Sequence, residues 1–529
     1  MNTHLRLPRR GRFRALVATL AVATLSLSAC GGSADQTTSD GTTSVSGAAS
    51  EAPTLRLGLT RAITNVHPHK GGSADSQGSI IGSIYEALTK VTVDGEAAPS
   101  LAAAWEQLDD LTWTFTIRPD ATFSDGTPVT AQDVAWNFEK LLDKEYVGTA
   151  GASLRKFTSS VTATSDDTVT FSLAAPAIDL PSRLWNLYIV SPAYAESGAN
   201  LDLTALGSGP YVLDDLDLEN GARLSANPYW TGTRPDFDTV DYLVLASEAQ
   251  RVAAVQAHEV DIVLNLAPLS TDGLGGDDST VILEQGAQPF VLAINERKSG
   301  SPLAEATVRQ ALNYATDKQS IIDALLKSAV VPLPGQVLFE PYGEQNPDLS
   351  AYPYDPTKAR ELLSEAGYSD GLQLELDVPS GTYVAAEAAA QAIAAQWAEV
   401  GITLTLTVTP FPAWVERQQG DDDQASDLVY INWGGSSPTD LNGKLGPFTS
   451  THIQGHVDAP NYDAFYDQAL KATTWEERQT AINEALRVYH DEAHTVFLYA
   501  SPFTGVVSKS VTWEPRAFRY LYAYEVGRA

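Results

Sequence analysis

Residues 99–142 carry the pattern that most narrows what this chain can fold into. Read physically, the segment is a short helix, a strand, a turn cluster and a second helix. Leu111, Trp113, Phe115 and Ile117 alternate with threonines, the period of a strand with one buried face. Arg118-Pro119-Asp120-Ala121 and Ser124-Asp125-Gly126-Thr127-Pro128 are turn chemistry. Thr130 stands three residues before Asp133, a capping box with Asp in place of Glu or Gln. It opens a helix whose apolar stripe is Val134, Phe138, Leu141 and Leu142. By itself this defines a βα piece of a globular domain.

The N-terminus gives the address. Residues 1–14 hold five arginines and no acid, and residues 15–27 are apolar apart from small hydroxyl residues. A basic start, a short apolar run and Leu27-Ser28-Ala29-Cys30 make an export signal. Cys30 is the only cysteine, so the body has no disulfide frame and rests on core burial. Cleavage before Cys30 leaves 500 residues, enough for about three domains, with a net charge of −37. That surplus excludes nucleic acid, which needs a basic footprint. It reads first as a solvated acidic surface, with a cationic ligand as the sharper alternative. Residues 30–52, rich in Gly, Ser and Thr, read as a flexible tether.

Further on, residues 54–59 alternate as a first strand, residues 80–88 have helical spacing, and residues 168–173 alternate again. Gly207-Ser208-Gly209-Pro210 resembles a phosphate loop only weakly, because no Gly-Lys-Ser/Thr follows and Pro210 lacks an N–H. Strands are expected at 239–245, 260–264, 290–295 and 402–408. Helices are expected at 247–258, 307–315, 355–367, 383–400, 462–471 and 475–494. Asp355-Pro356 starts one of them and Gly367 ends it. The alternation argues an α/β fold without internal repeats.

The run Trp113-x-Phe115-x-Ile117-Arg118, Phe123-x-Asp125-Gly126-x-Pro128, Ala131-x-Asp133-Val134 and Asn137-Phe138 resembles the signature of the family 5 extracellular solute-binding proteins. Tyr85-Glu86-Ala87-Leu88, Gly207-Ser208-Gly209-Pro210-Tyr211 and Asn227-Pro228-Tyr229-Trp230 extend the resemblance. It implies an α/β, two-lobed periplasmic-binding-protein fold (type II, cluster C-like) with an extra small domain and discontinuous lobes. The implied division is signal peptide 1–29, tether 30–52, lobe I 53–98 with 204–288 and 497–529, small domain 99–203, and lobe II 289–496. It further implies a monomeric receptor of an ABC importer that shuts on oligopeptides or peptide-like solutes and serves a membrane permease. No cofactor and no catalysis are implied. Cys30 resembles a lipobox cysteine, which would anchor the exported protein to the outer face of the cytoplasmic membrane. Trp433, Gly435, Ser436 and Ser437 are the expected cleft wall, with Ser73 and Tyr499 at the other lobe's edges.

Peptide-binding relatives often carry W-x-x-D where this chain has Trp433 to Ser436. The aspartate that meets a peptide's ammonium is thus replaced, with Asp427 or Asp440 as substitutes. Seven histidines survive cleavage, six of them in close pairs: His67/His69, His452/His456 and His490/His494. His452 or His456 would serve a nickel-chelate or metallophore receptor. His490 and His494, four apart on the expected helix, would serve a secreted zinc hydrolase, but the glutamate is misplaced for H-E-x-x-H. The plainer reading of that pair is two solvent-facing histidines near a helix end. A sensor that signals without delivering solute is the remaining alternative.

Overall fold

The computed structural model describes residues 54–70, 74–93, 95–146, 150–340, 343, 345–433, 441–452, 456–516 and 520–529. The signal, the tether, Cys30, Ser73, Gly435, Ser436, Ser437 and Asp440 lie outside them.

A first body begins with β1 (Thr54–Leu59) and α1 (Ala74–Ile84), followed by the short pair β2 (Thr89–Val91) and β3 (Ala97–Pro99). A smaller body contains β4 (Ala102–Asp109), β5 (Thr112–Ile117), α2 (Ala131–Leu142), α3 (Gly151–Phe157), β6 (Thr158–Ala163), β7 (Thr168–Leu173), α4 (Leu180–Arg183) and α5 (Pro192–Glu196). The first body resumes with β8 (Tyr211–Asp217), β9 (Gly221–Ala226), β10 (Thr239–Val244), α6 (Glu248–Gln256) and β11 (Ile262–Leu264). Strand β12 (Ser279–Ile294) leads into a second large body with α7 (Ala306–Tyr314), α8 (Lys318–Leu325), α9 (Pro356–Glu365), β13 (Leu372–Ser380), α10 (Ala386–Ala398), β14 (Ile402–Pro410) and α11 (Phe411–Gln418). It continues through β15 (Leu428–Asn432), α12 (Leu441–Leu445), α13 (Pro460–Lys471) and α14 (Trp475–Asp491). Strand β16 (Thr495–Ser508) returns to the first body, where β17 (Val511–Thr512) pairs with β18 (Gly527–Arg528).

Each body has its own apolar core. Leu55, Leu57, Tyr211, Tyr242 and Ile262 pack in the first, and Phe115, Phe138 and Phe171 in the smaller one. Leu376, Ile393, Trp397 and Tyr430 pack in the second large body. The smaller body is built on a four-stranded antiparallel sheet, β4-β5-β7-β6. The large bodies share a ten-stranded sheet in the order β14-β13-β15-β12-β16-β11-β1-β10-β9-β8.

Two strands make that sheet continuous. The first half of β12 pairs with the end of β16, whose residues Gly505 to Val507 pair with β11. The second half of β12 pairs with β15 and with the start of β16. The β12/β16 register slips between Gln285 and Pro289 and again at Phe290. Gly286 sits in that slip, where a Cβ would come 2.7 Å from Ser501 Oγ. Paired strands with a local break are a joint that can bend without losing the rest of the ladder.

Several local expectations meet the structure directly. Thr130 and Asp133 form both halves of the capping box, and Val134, Phe138 and Leu141 are buried while Leu142 is half-buried. Asp355 caps α9, and Gly367 beyond it has a φ of +88°. The glycines of Gly207-Ser208-Gly209 serve close approach: the Gly209 N–H donates to the Ile84 carbonyl at 2.8 Å, and a Cβ at Gly207 would overlap that carbonyl. This contact caps α1 and accounts for the motif without a phosphate.

Other expectations are corrected. The short helix expected at the start of residues 99–142 is strand β4, because Ala102 to Asp109 pair edge to edge with β5. Pairing along a whole neighbouring strand overrides alanine's helical propensity. Helix α1 runs from Ala74 to Ile84, ahead of the expected 80–88. Its serines fit because Ser79 and Ser83 donate back to the carbonyls of Asp75 and Ser79. Helix α14 stops at Asp491, since Ala493 takes a left-handed φ of +51° to turn the chain into β16.

Candidate functional site

In an α/β sheet, backbone groups left unpaired at the C-terminal ends of parallel strands make the usual ligand crevice. Here β1 runs parallel to β10 and β11, and β13 runs parallel to β14 and β15. The residues just past these ends are Thr60 and Arg61 after β1, Asn265 after β11, Phe411 after β14, and Trp433 after β15. The Arg61 guanidinium carbon lies 5.5 Å from the centre of the Phe411 ring, so the strand ends of the two large bodies face each other. The Arg61 N–H is held by Ser76 Oγ at 3.1 Å, in the first turn of α1. Phe411 stacks on Trp414, whose ring meets Tyr383 edge-on.

Asn265 belongs to this region and sequence reasoning did not select it. Its φ is +63°, and its side-chain oxygen is buried without a hydrogen-bond partner. Asparagine tolerates left-handed backbone better than most residues, which was the available signal.

Trp433 is 8 % exposed, with ring centres 5.3 Å from Phe448 and 5.1 Å from His452. Burial lowers the His452 pKa, aided by His456 and Lys156, so its imidazole is kept neutral near neutral pH. Tyr499 is fully buried, and its hydroxyl is 2.5 Å from that of Tyr430. Its ring therefore stands inside the core of the second body rather than on an exposed edge.

The other paired histidines of the second body are held by neighbouring groups. His456 places Nδ1 2.6 Å from Asp422 and Nε2 3.0 Å from the Gln418 carbonyl, which leaves neither nitrogen open to a metal. His494 is 1 % exposed with Nδ1 2.7 Å from Glu296, while His490 stacks on Tyr352 and contacts Asp491. The solvent-facing reading of His494 is thus corrected, and so is the shared helix face, because α14 ends between the two residues. Asp427 also fails as a substitute for the missing ammonium acceptor. It precedes β15, at the opposite end from Trp433, and its oxygens are taken by Lys298 and the Glu375 N–H. Among the described residues no cluster of three His, Cys, Asp or Glu is spaced to hold a metal ion.

A separate cavity of about 400 Å³ lies between the first and smaller bodies, lined by Tyr85, Glu86, Arg118, Trp185, Trp230 and Tyr522 among others. Glu86 is pushed up by burial, against the opposing pull of Arg118 2.8 Å away. This cavity touches the C-terminal half of α1, whereas the strand-end site adjoins its first turn. The two are different places.

Two α/β bodies joined by paired strands, each turning its parallel-strand ends toward the other, define a receptor that closes on a small solute. The chain belongs to the bacterial extracellular solute-binding proteins, family 5: residues 96–455 match that family's middle region. It is 28% identical to the dipeptide-binding protein of Escherichia coli K12 over 79% of this chain and 83% of that one. It is 27% identical to the nickel-binding periplasmic protein of the same organism, over 78% and 82% of the two chains. The fold superposes on NikA from Brucella suis in complex with Fe(III)-EDTA with a TM-score of 0.80 at 22% identity, covering 90% of this chain and all of that one. DppA from Helicobacter pylori in complex with the peptide STSA gives 0.78 at 20% identity, covering 90% and 98%. The α/β, two-lobed architecture with an additional smaller domain is that of this family.

Proposed function

We propose that this protein captures peptide-like solutes between its two large bodies and hands them, unaltered, to the permease of an ABC importer. The observation that carries this reading is the meeting of parallel-strand ends across the two bodies at Arg61 and Phe411. The dipeptide-binding relative and the peptide-bound neighbour support the solute class. In this reading the protein is exported, works as a monomer, and is tethered to the outer face of the cytoplasmic membrane by lipid on Cys30. Two acyl chains there hold a protein stably where one does not. Trp433 backs the wall to which Gly435, Ser436 and Ser437 contribute, with Ser73 on the facing body and Tyr499 behind it.

A thermal-shift screen across peptides, nickel chelates and oligosaccharides tests the reading. A solute present at about 100 times its Kd stabilises the native state by roughly 2.7 kcal/mol, a readable rise in Tm. Peptides should give that rise and be recovered intact; cleavage products would overturn the receptor reading.

The second reading, a nickel-chelate receptor, is favoured by the neutral His452 imidazole packed against Trp433. If only nickel chelates raise the Tm, and His452→Ala abolishes the rise, this reading replaces the first.

A further inference from the structure

The cavity between the first and smaller bodies has the make-up of a second binding site. Its volume of about 400 Å³ lies in the range of small-molecule sites. Its lining residues come from those two bodies, so filling it does not depend on closure of the two large ones. Arg118, just past β5, ties its polar side together. Nη2 donates to Glu86 Oε2 at 2.8 Å, and Nη1 donates to Asp120 Oδ1 at 3.1 Å and to Thr231 Oγ1 at 2.7 Å. The other Glu86 oxygen accepts from Ser100 Oγ at 3.2 Å. The same guanidinium lies over the Trp230 ring, 5.5 Å from its centre. The aromatic side is equally fixed. Trp185 meets Tyr520 edge-on, and Tyr520, Tyr522 and Tyr524 stack with ring centres 5.6 and 5.4 Å apart. Gly82 lets α1 come against that ladder, because a Cβ there would overlap Tyr522. Walls held this way before a ligand arrives lower the ordering cost of binding.

The lining narrows the chemistry of an occupant. An ion finds little unopposed charge: Glu86 and Asp120 are paired with Arg118, and Lys90 stands exposed, where solvent screens it. A hydrocarbon would cover ionic and hydroxyl groups without offering them hydrogen bonds. A neutral sugar ring meets both demands, since its C–H face packs on an aromatic ring while its hydroxyls both donate and accept. We infer that this cavity is a second ligand site, separate from the crevice between the large bodies, and that it takes a neutral mono- or disaccharide packed against Trp230 with hydroxyls on Glu86, Asp120 and Thr231. The inference does not rest on the peptide-like reading of the crevice.

The test is a calorimetric titration of the full mature chain with a panel of neutral mono- and disaccharides, beside amines and carboxylates of similar size. A neutral saccharide should bind, and the charged probes should not. Trp230→Ala, which removes the packing face, and Thr233→Trp, which fills the cavity from its lining, should each weaken that binding roughly ten-fold or more. Thr233 is exposed, so its variant tests the cavity even where Trp230→Ala fails to fold. If no saccharide in the panel binds, the inference falls. It also falls if both folded variants bind the sugar as the wild type does, which would put the sugar elsewhere. Binding of an amine or a carboxylate that these variants abolish overturns the saccharide assignment. A failure of peptides to bind would remove the transport reading and leave this site standing.

Discussion

Arg478 on α14 reaches Asp179, at the start of α4, with Nη2 3.0 Å from Oδ2, and Arg183 approaches the same carboxylate at 2.5 Å. All three side chains are almost completely buried, so an ion triad joins the smaller body to the second large body away from the sheet. Burial alone would push the Asp179 carboxyl up; the two guanidinium groups outweigh it and hold it below the usual range.

Removing one member leaves charge buried without its counterpart. Asp179→Asn or Arg478→Ala should lower unfolding stability by about 3–5 kcal/mol, read from denaturant midpoints. The Asp179 pKa is lower in the folded state than in the unfolded one. Its contribution is therefore complete above the unfolded value near 4 and is lost as pH falls through the lower folded value. Asp179→Asn should remove that acid-side component of the stability curve.

His69 predicts a different window. It is wholly buried, with Nδ1 3.2 Å from the Tyr146 hydroxyl and Nε2 3.0 Å from the Tyr188 carbonyl. Burial pushes its pKa down to about 4. The folded state thus favours the neutral ring, so stability is complete above about pH 6.5 and falls as pH drops toward 4, by roughly 3 kcal/mol from this group. Denaturation at pH 7 and pH 4 should show that loss in the wild type, and His69→Gln should lack it.

The capping box of α2 gives a smaller, local effect. Thr130 Oγ1 accepts from the Asp133 N–H, while Asp133 Oδ2 accepts from the Thr130 N–H at 2.8 Å. Thr130→Ala should cost about 1 kcal/mol in chemical denaturation and leave solute affinity unchanged.

At the joint, Gly286 lies against the Ser501 side chain and carbonyl, both within 3 Å of where a Cβ would be. Gly286→Val should destabilise by about 1–3 kcal/mol through crowding. It should also reduce the compaction that ligand produces in small-angle scattering, because the strands that bend between the bodies are pinned.

Short-range chemistry was legible in the chain itself. Thr130 with Asp133, Asp355 with Pro356, and the alternation of Thr54 to Leu59 each depend on neighbours a few residues away, and each forms as expected. The family signature around Trp113, Asp125 and Asp133 likewise placed the chain in its class and fold. What the sequence could not fix is whatever depends on partners brought from afar. Ala102 to Asp109 became a strand only because β5 offered an edge along its length. His456 turned its ring nitrogens to Asp422 and Gln418, and Tyr499 found Tyr430, through packing that no local period encodes. That Arg61 and Phe411 meet across the two bodies could be known only once their surroundings were assembled. Local hydrogen bonding and side-chain period are written into adjacent residues, whereas burial and charge pairing are decided by which surfaces the folded chain brings together.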